Sequence, residues 1–145
     1  MAEFSIGGRS TIQSLTLLFA IVFIAVGILG FIPGITTTYG DMTFAGTDSG
    51  AELFGIFQVS ILHNIVHILF GLVGLVAVGS FDSSRLYMLG GGIIYLALFL
   101  LGIVGGADWI PANTADHWLH LGLGVFMVGI GYLYGREPAA RAAPA

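Results

Sequence analysis

The sequence predicts an all-α polytopic membrane protein, a four-helix transmembrane bundle built from two quasi-equivalent helical hairpins. Three observations carry that prediction. Hydrophobic residues make up 57% of the 145-residue chain and charged ones 8%, against roughly 25% charged in a soluble globular domain. Nearly all of the charges fall between four long uncharged stretches. A shift of the chain by 53 residues superposes its unusual polar residues on one another.

The composition also excludes several classes. So short a chain has too much surface to cover with so few charges if that surface faced water. Disorder would require low hydrophobicity. Without Cys there are no disulfides, Cys-zinc sites or thiol catalysis. With no Lys, only Arg9, Arg85, Arg136 and Arg141 as basic residues, and a net charge of -4, nucleic acid is not a partner.

Each uncharged stretch (10–40, 53–81, 86–107 and 117–135) has room for one spanning helix of about 20 residues and not for two. The spans are expected near 13–32, 60–79, 86–106 and 113–134, in a single domain of residues 1–135 followed by a short cytoplasmic tail, 136–145. The first is read as a structural span: it is too long for a secretory signal and lacks a small-residue cleavage pattern. The runs do not alternate in polarity, which speaks against a barrel.

With the N-terminus inside, all four arginines lie on the cytoplasmic side, and Asp41, Asp48, Glu52, Asp108 and Asp116 lie on the other. That is the asymmetry of a bacterial-type cytoplasmic membrane protein with both termini inside. Trp109 and Trp118 then mark the outer boundary, and Tyr87, Tyr132 and Tyr134 the inner one. The 23 glycines suit close helix packing in lipid, where apolar side chains gain little by association. Gly27, Gly30, Gly71, Gly74, Gly102, Gly106, Gly122, Gly124, Gly129 and Gly131 mark the expected contact faces, and Gly90–Gly92 is either part of them or a kink.

The repeat lays Ser60-Ile-Leu-His63-Asn64-Ile-Val-His67-Ile-Leu-Phe-Gly71 on Asn113-Thr-Ala-Asp116-His117-Trp-Leu-His120-Leu-Gly-Leu-Gly124. His67 falls on His120 and His63 on Asp116. The first and third spans also end alike, in Leu29-Gly30 and Leu101-Gly102. Two hairpins in the same orientation are implied, related by a two-fold axis along the membrane normal. The signatures His63-Asn64-x-x-His67-x-x-x-Gly71 and Asn113-x-x-Asp116-x-x-Leu119-His120 resemble the bacterial four-helix membrane family known as domain of unknown function 4383, across about 12–135. The family's second motif has Asn at the position of His117. The resemblance implies a four-helix, DoxX-like architecture and a set of polar positions, and no particular activity.

His63 and His67, and likewise Asp116 and His120, are four residues apart and share a helix face. They sit roughly 5–10 Å inside the outer boundary at 1.5 Å rise per residue, where polar groups must find partners within the protein. Three readings follow. In the first, His63, Asn64, His67, Asn113, Asp116 and His120 form a structural network, Asn113 capping its helix and the imidazoles bonding across the hairpins. The protein is then an accessory or stabilising subunit, its partners being the lipid bilayer and other membrane subunits or further copies of itself. In the second, His63, His67, Asp116 and His120 bind Zn or Cu. In the third, His67 and His120 are axial ligands of haem b in a redox protein. Small-solute transport is a further class, but no helix is broken and no charge lies at the midplane. No catalytic residue is expected, since neither a nucleophile with its base nor a phosphate-binding loop occurs. The outer loop, 34–55, is long enough to cap the mouth of the bundle.

Overall fold

Each of the four α-helices starts at a side chain that caps it. The structure is a computed structural model and describes residues 5–106 and 108–136; the expected tail from 137 onward, with Arg141, lies outside them. Helix α1 (Thr11–Leu29) opens with a capping box, in which Ser10 accepts from Gln13 N and the Gln13 side chain accepts from Ser10 N. Ser60 caps α2 (Ile61–Ala77) by accepting from His63 N, and Ser80 caps α3 (Phe81–Val104) by accepting from Ser83 N. Helix α4 (Thr114–Leu133) has a second capping box, Asn113 with Asp116. Such caps satisfy backbone donors that the first turn leaves without intrahelical partners.

Two of the four, α1 and α3, are long and apolar enough to cross a membrane, while α2 is apolar but only 17 residues long. Helix α3 begins five residues before the expected boundary at 86. The added turn carries charge: Asp82 suits the positive end of a helix dipole, and exposed Arg85 lies on the surface of the second turn. Helix α3 runs unbroken through Gly90–Gly92. A Cβ at Gly91 would strike Phe70 and Met127, and one at Gly92 would strike Val128, so small residues there permit close packing.

The chain is mostly helical but not wholly so. Between α1 and α2, β1 (Thr36–Thr37), β2 (Glu52–Leu53) and β3 (Phe57–Gln58) form an antiparallel sheet in the order β1-β2-β3, with Thr36 opposite Leu53 and Leu53 opposite Phe57. Ala51, Leu53 and Val59 are buried beneath this segment against Val26, Leu29, Ile35, Met42 and Phe57. It also reaches the second hairpin: Gly46 N donates to Trp109 O at 3.0 Å and Thr47 N to Asp108 O at 3.1 Å. The long loop is a docked cap.

Helix α1 packs along α2 and α3 along α4, and smaller contacts of α1 and α2 with α3 join the pairs. The close approaches recur at the spacings of the repeat. Gly30 meets the Asn64 side chain, and Gly102 meets that of His117; Gly71 lies on Ile24, and Gly124 on Leu96. Both pairs are therefore antiparallel. A central core of Ile12, Phe23, Ala77, Tyr87, Met88, Tyr95 and Met127 lies where the pairs meet.

Candidate functional site

The polar residues singled out from the sequence gather beneath the cap but divide into two groups with different surroundings. Asn113 and Asp116 belong to the first. Asp116 is 2% exposed. Its Oδ2 accepts from Asn113 N and from Gln58 N, each at 2.9 Å. Asn113 Oδ1 accepts from Asp116 N at 3.1 Å, and Asn113 Nδ2 donates to Ile56 O at 2.7 Å. The N-terminal turn of α4 thus holds the β2–β3 end of the cap through two side chains, Asp116 and Asn113, on two of its backbone groups, Gln58 N and Ile56 O. Carboxylate bonds to N–H donors are among the stronger hydrogen bonds, and a helix N-terminus suits the negative charge.

The second group is the imidazoles. His63 and His67 lie ring against ring on α2, with centroids 4.3 Å apart. His67 packs edge-on to Phe23 at 5.7 Å, and His120 packs on Tyr95 at 5.4 Å. Phe23 and Tyr95 in turn stack at 5.6 Å with an interplanar angle of 8°. The shift that lays Gly30 on Gly102 also lays Phe23 on Tyr95, so each hairpin supplies one aromatic ring and one imidazole to a common ladder. The buried Nδ1 atoms of His67, His117 and His120 have no hydrogen-bond partner.

This corrects the expected network in one respect. Among the described residues no side-chain hydrogen bond joins the imidazoles across the hairpins; they pack edge-on or tilted against aromatic rings. The polar links between the two halves run from the cap to the start of α4 and the loop before it. Asn64 is buried, with its amide against Gly30 and its Nδ2 4.0 Å from Met42 Sδ. It closes the first hairpin and bonds nothing in the second.

His63, His67 and His120 also line a cavity of about 260 Å³, together with Ser60, Val66, Phe70, Ile94, Tyr95, Leu98, Trp109 and Pro111. A smaller one of about 70 Å³, lined by His117 and Gly102, shares Leu98, Ile110 and His120 with it. Ligand pockets usually measure roughly 300–1,000 Å³. The larger cavity thus admits a small molecule or a head group, whereas a porphyrin would have to displace Phe70 or Tyr95. Among the described residues no three His, Asp or Glu side chains are grouped to hold a metal ion, and the Asp116 carboxylate is engaged by the N–H groups of Asn113 and Gln58. The structure therefore brings the three imidazoles together at one cavity and leaves Asp116 outside that set. Phe23, Tyr95 and Trp109 complete the site, although residue type alone marks aromatic residues in an apolar chain as ordinary core.

A family model described as "Domain of unknown function (DUF4383)" matches residues 13–133. The chain belongs to this family. The matched DUF4383 region takes in the cap, both His-bearing motifs and nearly all of the four helices. No curated protein and no solved structure matches the chain.

Because Nδ1 of His67 and of His120 has no partner, an apolar side chain of similar size leaves no group stranded. His67→Leu and His120→Leu in this DUF4383 chain are therefore expected to unfold at or slightly above the wild-type temperature, by thermal denaturation in detergent. A drop equivalent to about 2 kcal/mol or more in either variant would mean that the imidazole bonds something essential.

Proposed function

We propose that the chain is a four-span protein of a bacterial-type cytoplasmic membrane, with both termini cytoplasmic. In this reading it catalyses nothing itself and serves as an accessory or stabilising subunit of a larger membrane assembly or homo-oligomer. The membrane reading draws support from the outer surface. The apolar windows of α1 and α3 are only 33% and 28% buried, whereas a helix so apolar in the core of a soluble protein would be mostly buried. Helices α2 and α4 expose Leu69, Val73, Val76, Val125 and Phe126 as well, a surface costly in water and at home in lipid. Arg9, Arg85 and Arg136 lie at the ends of the helices away from the cap, and Asp41, Asp48, Glu52 and Asp108 lie in the cap and the loop beside it. By the positive-inside rule the cap faces out.

The accessory role rests on one observation about α4. Gly122 and Gly129, seven residues apart and so on one helix face, have nothing within 4 Å of the place a Cβ would take. Exposed Val125 and Phe126 stand between them. Small residues beside apolar ones mark the faces by which helices pair in lipid, and the fold leaves the places beside Gly122 and Gly129 open.

Co-purification in mild detergent tests it. Wild-type protein should migrate as a complex, with copies of itself or with another membrane protein, and Gly122→Leu/Gly129→Leu should migrate as a folded single chain. A wild-type single chain across several mild detergents, or a double variant that retains the complex, would overturn the accessory role.

A further inference from the structure

The larger cavity lies on the seam between the hairpins. Helices α1 and α2 pack along each other, as do α3 and α4, but α2 and α4 scarcely approach one another. The gap is walled by Val66 and Phe70 of α2, Ile94 and Leu98 of α3, and His120 of α4. Three of its lining residues also belong to the outer surface: Trp109, in the loop before α4, is 63% exposed, Ile94 53% and Val66 50%. The opening is therefore elongated. It begins at Trp109, at the outer boundary, and passes down to Val66, about 9 Å below Ser60 at 1.5 Å rise per residue. Polarity follows the same direction. Ser60, the half-buried His63 and the Trp109 indole stand at the outer end, with Val66, Phe70, Ile94 and Leu98 below them. The deeper imidazoles add little to this, because Nδ1 of His67 and of His120 is buried against protein and not turned to the cavity.

We propose that this cavity seats one acyl chain of an outer-leaflet phospholipid. The glycerol end lies at Trp109 and His63, and the chain runs inward past Val66 and Ile94 to Phe70. An apolar cavity of about 150 Å³ stays dry and takes benzene; this one, at about 260 Å³, takes a longer hydrocarbon. An empty gap forfeits the dispersion contacts of the atoms around it, and in the membrane the hydrocarbon at hand is a lipid chain. Indole rings favour the level where head groups meet chains, which is where a lipid seated in this way has its glycerol. A polar outer end above an apolar depth matches an amphiphile in the orientation that the outer leaflet imposes. The chain thereby fills the part of the seam that α2 and α4 leave open. The proposal rests on the membrane reading above, because the ligand must come from lipid; it does not depend on the accessory role.

The chain carries its own reporter and control. Trp109 and Trp118 are its two tryptophans and are equally exposed, at 63% and 64%, but of the two only Trp109 lines the cavity. Trp118→Phe therefore leaves a fluorophore in the site, and Trp109→Phe leaves one outside it. The probe is phosphatidylcholine brominated in the upper half of one chain, titrated into the full chain in detergent. The Trp118→Phe protein should lose most of its emission along a single-site curve, and unbrominated phosphatidylcholine should restore it. Emission of the Trp109→Phe protein should fall only in proportion to the lipid in the micelle. Val66→Phe/Ile94→Phe, added to Trp118→Phe, fills the opening at exposed positions and should reduce the quenching to that of the control. Quenching of Trp109 no stronger than that of Trp118, or single-site quenching that survives the filled opening, would overturn the proposal. So would saturable quenching by bromobenzene that phosphatidylcholine does not reverse, since the cavity would then hold a compact ring. Absence of quenching at both tryptophans in vesicles of the brominated lipid would instead overturn the membrane reading.

Discussion

Gly71→Ala is expected to destabilise the protein by about 2 kcal/mol or more, the cost of forcing volume into a packed interior. A Cβ at Gly71 would come within 2.6 Å of Ala20 O and 2.9 Å of Ile24 N. Both are backbone atoms of α1, so no rotamer change relieves the clash and the two helices must separate along their length. Its repeat counterpart should respond less. At Gly124 the nearest atoms belong to the Leu96 side chain, at 2.7 Å, and the nearest backbone atom stands at 3.0 Å; Leu96 can yield. Gly122→Ala and Gly129→Ala meet nothing within 4 Å and should stabilise α4 by up to about 1 kcal/mol through helix propensity. Thermal unfolding of the four single variants in one detergent checks the order. If Gly71→Ala is as stable as wild type, the close α1–α2 contact is not what holds the first hairpin.

That ordering shows what was legible in the chain and what was not. Composition and uncharged runs give the four helices, and Asn113 announces the start of α4; the caps Ser10, Ser60 and Ser80 lie among other serines that nothing in the sequence marks out. The repeat announces which glycines are equivalent. It does not announce which of them face a neighbour, because facing depends on how the pairs pack. Gly122 and Gly124 look alike in sequence, and only Gly124 is filled from across the interface. The His-bearing turns were legible for a simpler reason, since few polar residues interrupt these helices. Their partners were not. Stacking of Phe23 on Tyr95 is a contact between hairpins, and no local pattern encodes it. The three short strands escaped for another reason: two residues are too few for alternation to register, and their pairing depends on the cap meeting the helices below.

Asp116→Ala is expected to cost about 3 kcal/mol and to loosen the cap selectively. Its carboxylate accepts two N–H bonds, from Asn113 and from Gln58. Truncation strands both donors, at about 1–3 kcal/mol each where they are shielded from water, and removes half of a capping box. The loss has a location: Gln58 belongs to β3, so the 57–59 segment should become protease-sensitive and exchange its amides faster, while the centre of α3 stays protected. Asp116→Asn keeps an oxygen that can accept the same bonds and gives up only the charge, so it should cost about 1 kcal/mol. The repeat supplies the control. His63 stands at the third position of α2, where Asp116 stands in α4, and its own N–H donates to the Ser60 cap. Its side chain holds no part of the cap, so His63→Ala should leave the 57–59 segment as protected as in wild type. Only one of the two equivalent helix starts needs a carboxylate. The long loop belongs to the first hairpin and has to be held by the second, and the start of α4 is where it comes to rest. Equal loosening by His63→Ala and Asp116→Ala would contradict this division of roles.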